Sequence, residues 1–199
     1  MNSRNTILKS LRGAQRTPAP LPDVPMFDAA LPPALDKFKE SLAQMGGQWV
    51  EMPADGDIDA LIRTHFPGAK VICSAVAETA GTRRIEDVRD PHELNDVDVG
   101  IVRPRFAVAE TGSIWLGEVQ LQVNALGYLS QHLVALLDPA DIVGNLHHAY
   151  HRSEFFAANY AVLMSGPSAT ADIEGVLIRG AQGIRSLTVI PAPRVRASG

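Results

Sequence analysis

The stretch Met164-Ser165-Gly166-Pro167-Ser168-Ala169-Thr170-Ala171-Asp172-Ile173-Glu174 constrains the fold of this chain more than any other. The apolar run leading into it, Tyr160-Ala161-Val162-Leu163-Met164, reads as a buried strand, and Ser-Gly-Pro marks a tight turn. Beyond the turn, apolar residues at Ile173, Val176, Leu177 and Ile178 predict a helix. A strand, a turn and a helix start leave backbone N–H groups unpaired at the positive end of the helix dipole, where a phosphate or carboxylate is held. Ser168 and Thr170 are then N-cap residues or ligand donors, and Asp172 and Glu174 complement the dipole themselves. Two hydroxyls that only cap a helix give the same local pattern, so both readings stand at this level.

The rest of the chain alternates helix and strand. Ile7, Leu8 and Leu11 share one face of a short helix that Thr6 can cap, too short to be stable without something to pack on. Pro18, Pro20, Pro22, Pro25, Pro32 and Pro33 deny helix and central strand alike, so residues 1–33 read as a short helix and a proline-rich linker. Leu35, Phe38, Leu42 and Met45 recur at helical spacing before Gly46-Gly47, and Gln48 to Met52 follows as a strand. Asp55 or Asp57 caps a helix with Ile58, Leu61, Ile62 and Phe66 on its apolar face, and Lys70 to Ser74 is a short buried strand. Ala77 to His92 is polar and aperiodic, a surface excursion carrying Arg83 and Arg84, whose guanidinium forks suit carboxylates but which more often are simply solvated.

Phe106-Ala107-Val108-Ala109 and Ile114-Trp115-Leu116 are apolar runs parted by Glu110-Thr111-Gly112-Ser113, where the glycine marks a sharp turn or bulge. Gln131 to Leu137 is a further strand, Asp141 caps a helix running to about Phe156, and Leu187 to Ile190 is the last strand. Continuous apolar strands need cover on two faces, so the fold class is α/β: one domain over 34–191, a mostly parallel sheet with helices on both faces, and a tail over 192–199 that is disordered or reaches a neighbour.

Composition narrows the function. A net charge of -4 gives no general attraction to nucleic acid or anionic membrane. No apolar run approaches the roughly 20 residues that span a bilayer, and no signal-peptide core follows Met1, so a cytoplasmic protein without membrane insertion is expected. The single cysteine, Cys73, sits in an apolar strand and reads as a buried structural thiol. It cannot by itself ligate an iron-sulfur cluster, which takes about four thiolates. No Gly-rich dinucleotide fingerprint follows a strand, so no nicotinamide or flavin cofactor is expected. His147 and His151 are spaced to share a helix face with His148 adjacent, but no Glu lies between them as a zinc-protease motif requires, and no required metal is expected.

The segment from Ser165 through Val176-Leu177-Ile178-Arg179-Gly180-Ala181-Gln182-Gly183 resembles the lactate-utilization domain family, most closely its lactate utilization protein C branch. A second matching block comprises Asp98-Val99-Gly100-Ile101 and Ala107-Val108-Ala109-Glu110-Thr111-Gly112-Ser113, and the likeness runs from about Val97 to Ile190. The family often has Thr where this chain has Ser113, and Trp115 and the segment Gly117 to Ser130 depart from its pattern. The resemblance implies an α/β fold of the type shared by sugar-phosphate isomerases and coenzyme A transferases. It also implies a part in oxidising lactate to pyruvate beside an iron-sulfur protein and a cysteine-rich protein.

Glu110 is the candidate catalytic residue. A carboxylate entering a Gly turn at the end of an apolar strand is partly desolvated, which raises its pKa toward general-base or nucleophile values. Coenzyme A transferases of related fold use a glutamate nucleophile, an analogy at the level of fold. A Glu that serves only the turn fits equally well. Thr111, Gly112, Ser113, Ser165, Gly166, Ser168, Thr170 and Asp172 complete the predicted site, a cleft for a small anionic metabolite outside the carboxyl ends of strands. Two classes of function remain open, an enzyme subunit acting at that cleft and a non-catalytic interaction subunit of a lactate-oxidising complex.

Overall fold

A computed structural model describes residues 3–14, 20–167, 169–173, 176–179 and 182–194. In chain order its elements are α1 (Ser3–Gly13), α2 (Ala34–Gln44), β1 (Gln48–Trp49), α3 (Ile58–His65), β2 (Ile72–Ser74), β3 (Arg83–Arg84), β4 (Val99–Val102), β5 (Phe106–Val108) and β6 (Ser113–Gly117). They continue with α4 (Glu118–Leu121), α5 (Leu126–Leu129), β7 (His132–Leu137), β8 (Ile142–Val143), α6 (Leu146–Tyr150), α7 (Ser153–Ala157), β9 (Ala161–Met164), β10 (Ala169–Ile173), β11 (Val176–Arg179) and β12 (Ser186–Pro191).

Six strands form one parallel sheet in the order β1-β12-β7-β4-β2-β3. Its central strands are apolar without interruption because both faces are covered. Leu133, Ala135 and Leu137 of β7 point into a cluster with Phe38 and Leu42 of α2, Leu121 of α4 and Leu126 of α5, whereas Val134 and Leu136 meet Ile58 and Ile62 of α3. Period-two alternation thus divides one strand between two cores. Each of the larger side chains among them, fully buried, contributes about 1.5–3 kcal/mol relative to exposure.

A second sheet, β8-β5-β6-β9, leans on the first core through Ala107, Ile114 and Leu116. Its outer face is closed by a stack of Phe106 on Trp115, centroids 5.4 Å apart, with the Arg152 guanidinium 4.8 Å over Phe106. In this sheet β6 is antiparallel to both β5 and β9, so the turn before Ser113 and the turn after Met164 lie at the same end.

Several local expectations are corrected. The segment past the Ser165 turn is a β-hairpin, β10 against β11, with Thr170 opposite Ile178, and not a helix. The spacing of Ile173, Val176 and Leu177 fits both periods, but Thr170, Ile173, Val176 and Ile178 are β-branched, stiff at χ1, and favour strand pairing. Asp141 does not cap a long helix. Ile142 and Val143 pair instead with Ala107 and Val108, and α6 is capped by Asn145, whose side-chain oxygen accepts the His148 amide at 2.9 Å. Residues 192–194 are not a loose tail: Ala192 is buried and donates to the Leu137 carbonyl, and the Arg194 amide donates to Asp138. The Ala77–His92 excursion contains β3, which pairs in parallel with β2.

Candidate functional site

The fold brings the two turns together. Thr111 Oγ1 lies 2.6 Å from Ser113 Oγ, and Ser113 Oγ lies 2.5 Å from Ser165 Oγ. The chain of hydroxyls exists because β6 begins at Ser113 and its neighbour β9 ends at Met164, one residue before Ser165. Both turns are pinned under the second half of α2. Gly112 has φ +62 and Gly166 φ +70, so each uses the left-handed region that glycine enters freely. A Cβ on Gly112 would strike the Leu42 amide nitrogen, and one on Gly166 the Met45 carbonyl. Ser41 Oγ also donates to the Glu110 carbonyl at 3.2 Å.

Beside the Ser165 turn opens a cleft of about 260 Å³ lined by Ser165, Gly166, Pro167, Gln182, Gly183 and Tyr128, among others. Tyr128 pairs its hydroxyl with that of Tyr160, and burial together with this hydrogen bond raises the Tyr160 phenol to about 12, so it stays neutral. The cleft therefore offers serine and amide groups and a paired phenol, a neutral hydrogen-bonding wall with an apolar floor from Val162 and Met164.

Other predicted residues land differently. Glu110 is exposed rather than desolvated, and its Oε2 accepts the Leu146 amide at 3.0 Å, tying the turn to the start of α6. It is exposed because β5 ends at Val108 and the chain leaves the core before the turn. Ser113 is buried, so its hydroxyl links the two turns and does not reach solvent. Thr170 lies on β10 as part of the hairpin, and so does the Asp172 backbone, so neither caps a helix. Ser168 and Glu174 lie outside the described residues. The helix-dipole site for an anion is therefore replaced by a turn followed by a strand. The cleft also belongs to the end of β9 and the segment leading into β12, not to the carboxyl ends of the parallel strands.

Those carboxyl ends are closed by ion pairs. Arg103 after β4 pairs with Glu78 and donates to the Ala192 carbonyl at 2.8 Å, and Arg194 bridges Asp141 and the Pro104 carbonyl. Arg83 is likewise committed, with two 2.8 Å bonds to Asp96, and Arg84 to Glu86 and the carbonyls of Val76 and Thr79. His147 packs at a tilt against Phe27, His148 faces Asp28, and His151 bonds the His147 carbonyl, so the three imidazoles have separate neighbours. Cys73 is buried in the core, where burial pushes its thiol up to about 11.

Sequence reasoning missed Tyr128 and Ile184 in the cleft. Gln182 and Gly183, which fall within the matching block, were the available pointer to that wall. No described helix is long and apolar enough to cross a membrane.

Comparison with known proteins bears on this arrangement. A search of curated proteins found no match. Among solved structures, the fold is similar to the crystal structure of a DUF162 family protein from Deinococcus radiodurans, with a TM-score of 0.58 at 18% sequence identity, covering 80% of this chain and 96% of that one. The LUD domain matches residues 83–190. That span holds the Glu110 turn, the Ser165 turn, the parallel strands β3, β4 and β7 and all but the last residue of β12, and by it the chain belongs to the LUD domain family, the lactate-utilization domain family.

Proposed function

We propose that this protein is a lactate utilization subunit of the C branch, supporting oxidation of L-lactate to pyruvate in the cytoplasm, and that its Ser165 cleft takes a small anionic metabolite. The observation that carries the reading is the Thr111-Ser113-Ser165 hydroxyl chain, which joins the two family-like blocks across 52 residues at the edge of a cleft. Oxidation itself belongs to partners in this reading. One buried cysteine with a raised pKa does not fit a cluster that takes about four thiolates, so an iron-sulfur protein and a cysteine-rich protein would carry the electrons. This chain's own residues would bind and orient: Ser165 and the turn amides at the anionic group, Tyr128 at the opposite wall. Glu110 keeps Oε1 unpartnered among the described residues and open to water, as an acid or base needs.

The interaction-subunit reading has its own support. α1 buries no residue, and Ile7, Leu11, Leu21, Val24 and Phe27 along the N-terminal arm are all exposed. Such an arm suits docking to a neighbouring protein.

One experiment separates the two. Glu110→Gln preserves an acceptor for the Leu146 amide and should fold normally, yet it is expected to abolish lactate-dependent growth of a strain relying on this protein. Unchanged growth with normal accumulation of the variant overturns the catalytic role and leaves the docking role, which truncation of residues 1–14 would then abolish.

A further inference from the structure

A cavity larger than the Ser165 cleft lies elsewhere, at the amino ends of β1, β7 and β12. It measures about 510 Å³ and is lined by residues from five separate parts of the chain, including Gln48, His65, Asp98, His132 and Arg185. It shares no lining residue with the Ser165 cleft.

Its polar groups are arranged for a negative ligand. His132 is fixed on two sides, by Ser186 Oγ 2.7 Å from its Nδ1 and by Phe66, whose ring centroid is 4.9 Å away at an interplanar angle of 33°. Nε2 is the nitrogen left for a ligand. Arg185 is exposed, anchored through its backbone amide to the Gln131 carbonyl at 2.7 Å, and its guanidinium has no carboxylate among the described residues. It thereby differs from Arg83, Arg103, Arg105 and Arg194, all of which are paired with acids. The carboxylate lining the pocket, Asp98, already accepts the Lys70 and Val71 amides at 2.7 and 2.9 Å through one oxygen, and these bonds hold its pKa below the usual range. His65 is turned toward Gln48 Oε1 at 3.1 Å.

We propose that this pocket binds the carboxylate or phosphate group of a small organic anion, with the Arg185 guanidinium and His132 Nε2 as its ligands and the Phe66-Pro67 side receiving the apolar body. A guanidinium fork matches two oxygens of such a group, and an imidazole held by a hydroxyl on its other nitrogen supplies a directed third bond. The volume exceeds what a bare oxyanion fills, so the ligand carries a body of several heavy atoms. Binding is pH-dependent. Burial, Arg185 and His65 lower the His132 pKa, against Asp98, which raises it; an anion seated between Arg185 and His132 opposes the lowering and makes the imidazolium easier to form. Occupancy therefore strengthens as pH falls through the His132 titration.

The test is proton NMR of the histidine ring signals in the full-length protein, assigned with His132→Asn and His65→Asn, during titration with inorganic phosphate and, separately, with pyruvate. A saturable shift of the His132 signal with a raised His132 pKa is expected for at least one probe. Phosphate alone would identify a phosphate ester, pyruvate alone a carboxylate, and both an unselective oxyanion site. Arg185→Gln removes an exposed, unpaired side chain and should leave the melting temperature unchanged while weakening binding about tenfold or more. No saturable shift with either probe, or a shift that persists unchanged in Arg185→Gln, overturns the proposal. Neither result touches the Ser165 cleft, whose function is read by growth of the Glu110 variant.

Discussion

Ser113 Oγ lies 2.5 Å from Ser165 Oγ, although 52 residues separate them in the chain. The contact is made where the second sheet meets the end of α2; Ser113 is 2% exposed and has Thr111 Oγ1 as its other hydroxyl neighbour, whereas Ser165 is half-buried at the cleft. Ser113→Ala, which breaks both links of the chain, should cost about 1–2 kcal/mol, and Ser165→Ala, which leaves Ser113 bonded to Thr111, about 0.5–1 kcal/mol. The double variant should cost less than the sum by at least about 0.5 kcal/mol. Urea denaturation of the four proteins measures this, and strict additivity would show that the pair does not act as a unit.

Gly166 joins the same region from the other side. Its φ of +70 and its approach to the Met45 backbone leave no room for a methyl group. Gly166→Ala should destabilise by about 1–3 kcal/mol through backbone strain and displacement of the end of α2. A loss below about 0.5 kcal/mol in chemical denaturation would mean that α2 moves away freely.

Cys73 gives a chemical readout of the core. With its thiol buried and raised to about 11, the nucleophilic thiolate is scarce at neutral pH. Native protein should resist a thiol-reactive disulfide reagent and react fully only in denaturant. Rapid labelling of the folded chain would place Cys73 outside the core and contradict its position on β2 between β3 and β4.

How much of this was legible in the sequence depends on how local the determining physics is. β7 and β12 could be read because uninterrupted apolar runs such as Leu133–Leu137 have few other solutions, and Asp57, one of two candidate caps, bonds the Ala60 amide three residues on. The β10–β11 hairpin could not, since Ile173, Val176 and Leu177 satisfy helical spacing while cross-strand pairing decides the outcome. Glu110 was placed correctly in its turn but expected to be desolvated; its exposure depends on how the turn meets the start of α6 at Leu146, 36 residues on, which no local pattern encodes. The pocket at His132 and Arg185 was invisible for the same reason, as its lining comes from positions 48 to 186 with no motif between them.

Acid stability offers a last check on the outer layer of the second sheet. Glu154 Oε1 accepts from Arg105 at 2.7 Å and from Arg152 at 3.1 Å, with its side chain 25% exposed. A bond from its own backbone amide, then Arg152 and Arg105, hold its carboxyl down at about 2, against the opposing effect of burial. A carboxyl with a folded pKa below its unfolded value stabilises the protein fully above the unfolded pKa, and that stability drains away as pH falls toward the folded pKa. For Glu154 the window runs from about pH 5 down to about pH 2, and after discounting for solvent its contribution is about 1–2 kcal/mol. Wild type and Glu154→Gln should therefore differ most near neutral pH and converge as pH approaches 2, the difference separating Glu154 from Asp98 and Glu118, whose carboxyls are also lowered. Urea midpoints measured across that range test it, and a gap between the two proteins that stays constant with pH would remove Glu154 from the acid-sensitive groups of this fold.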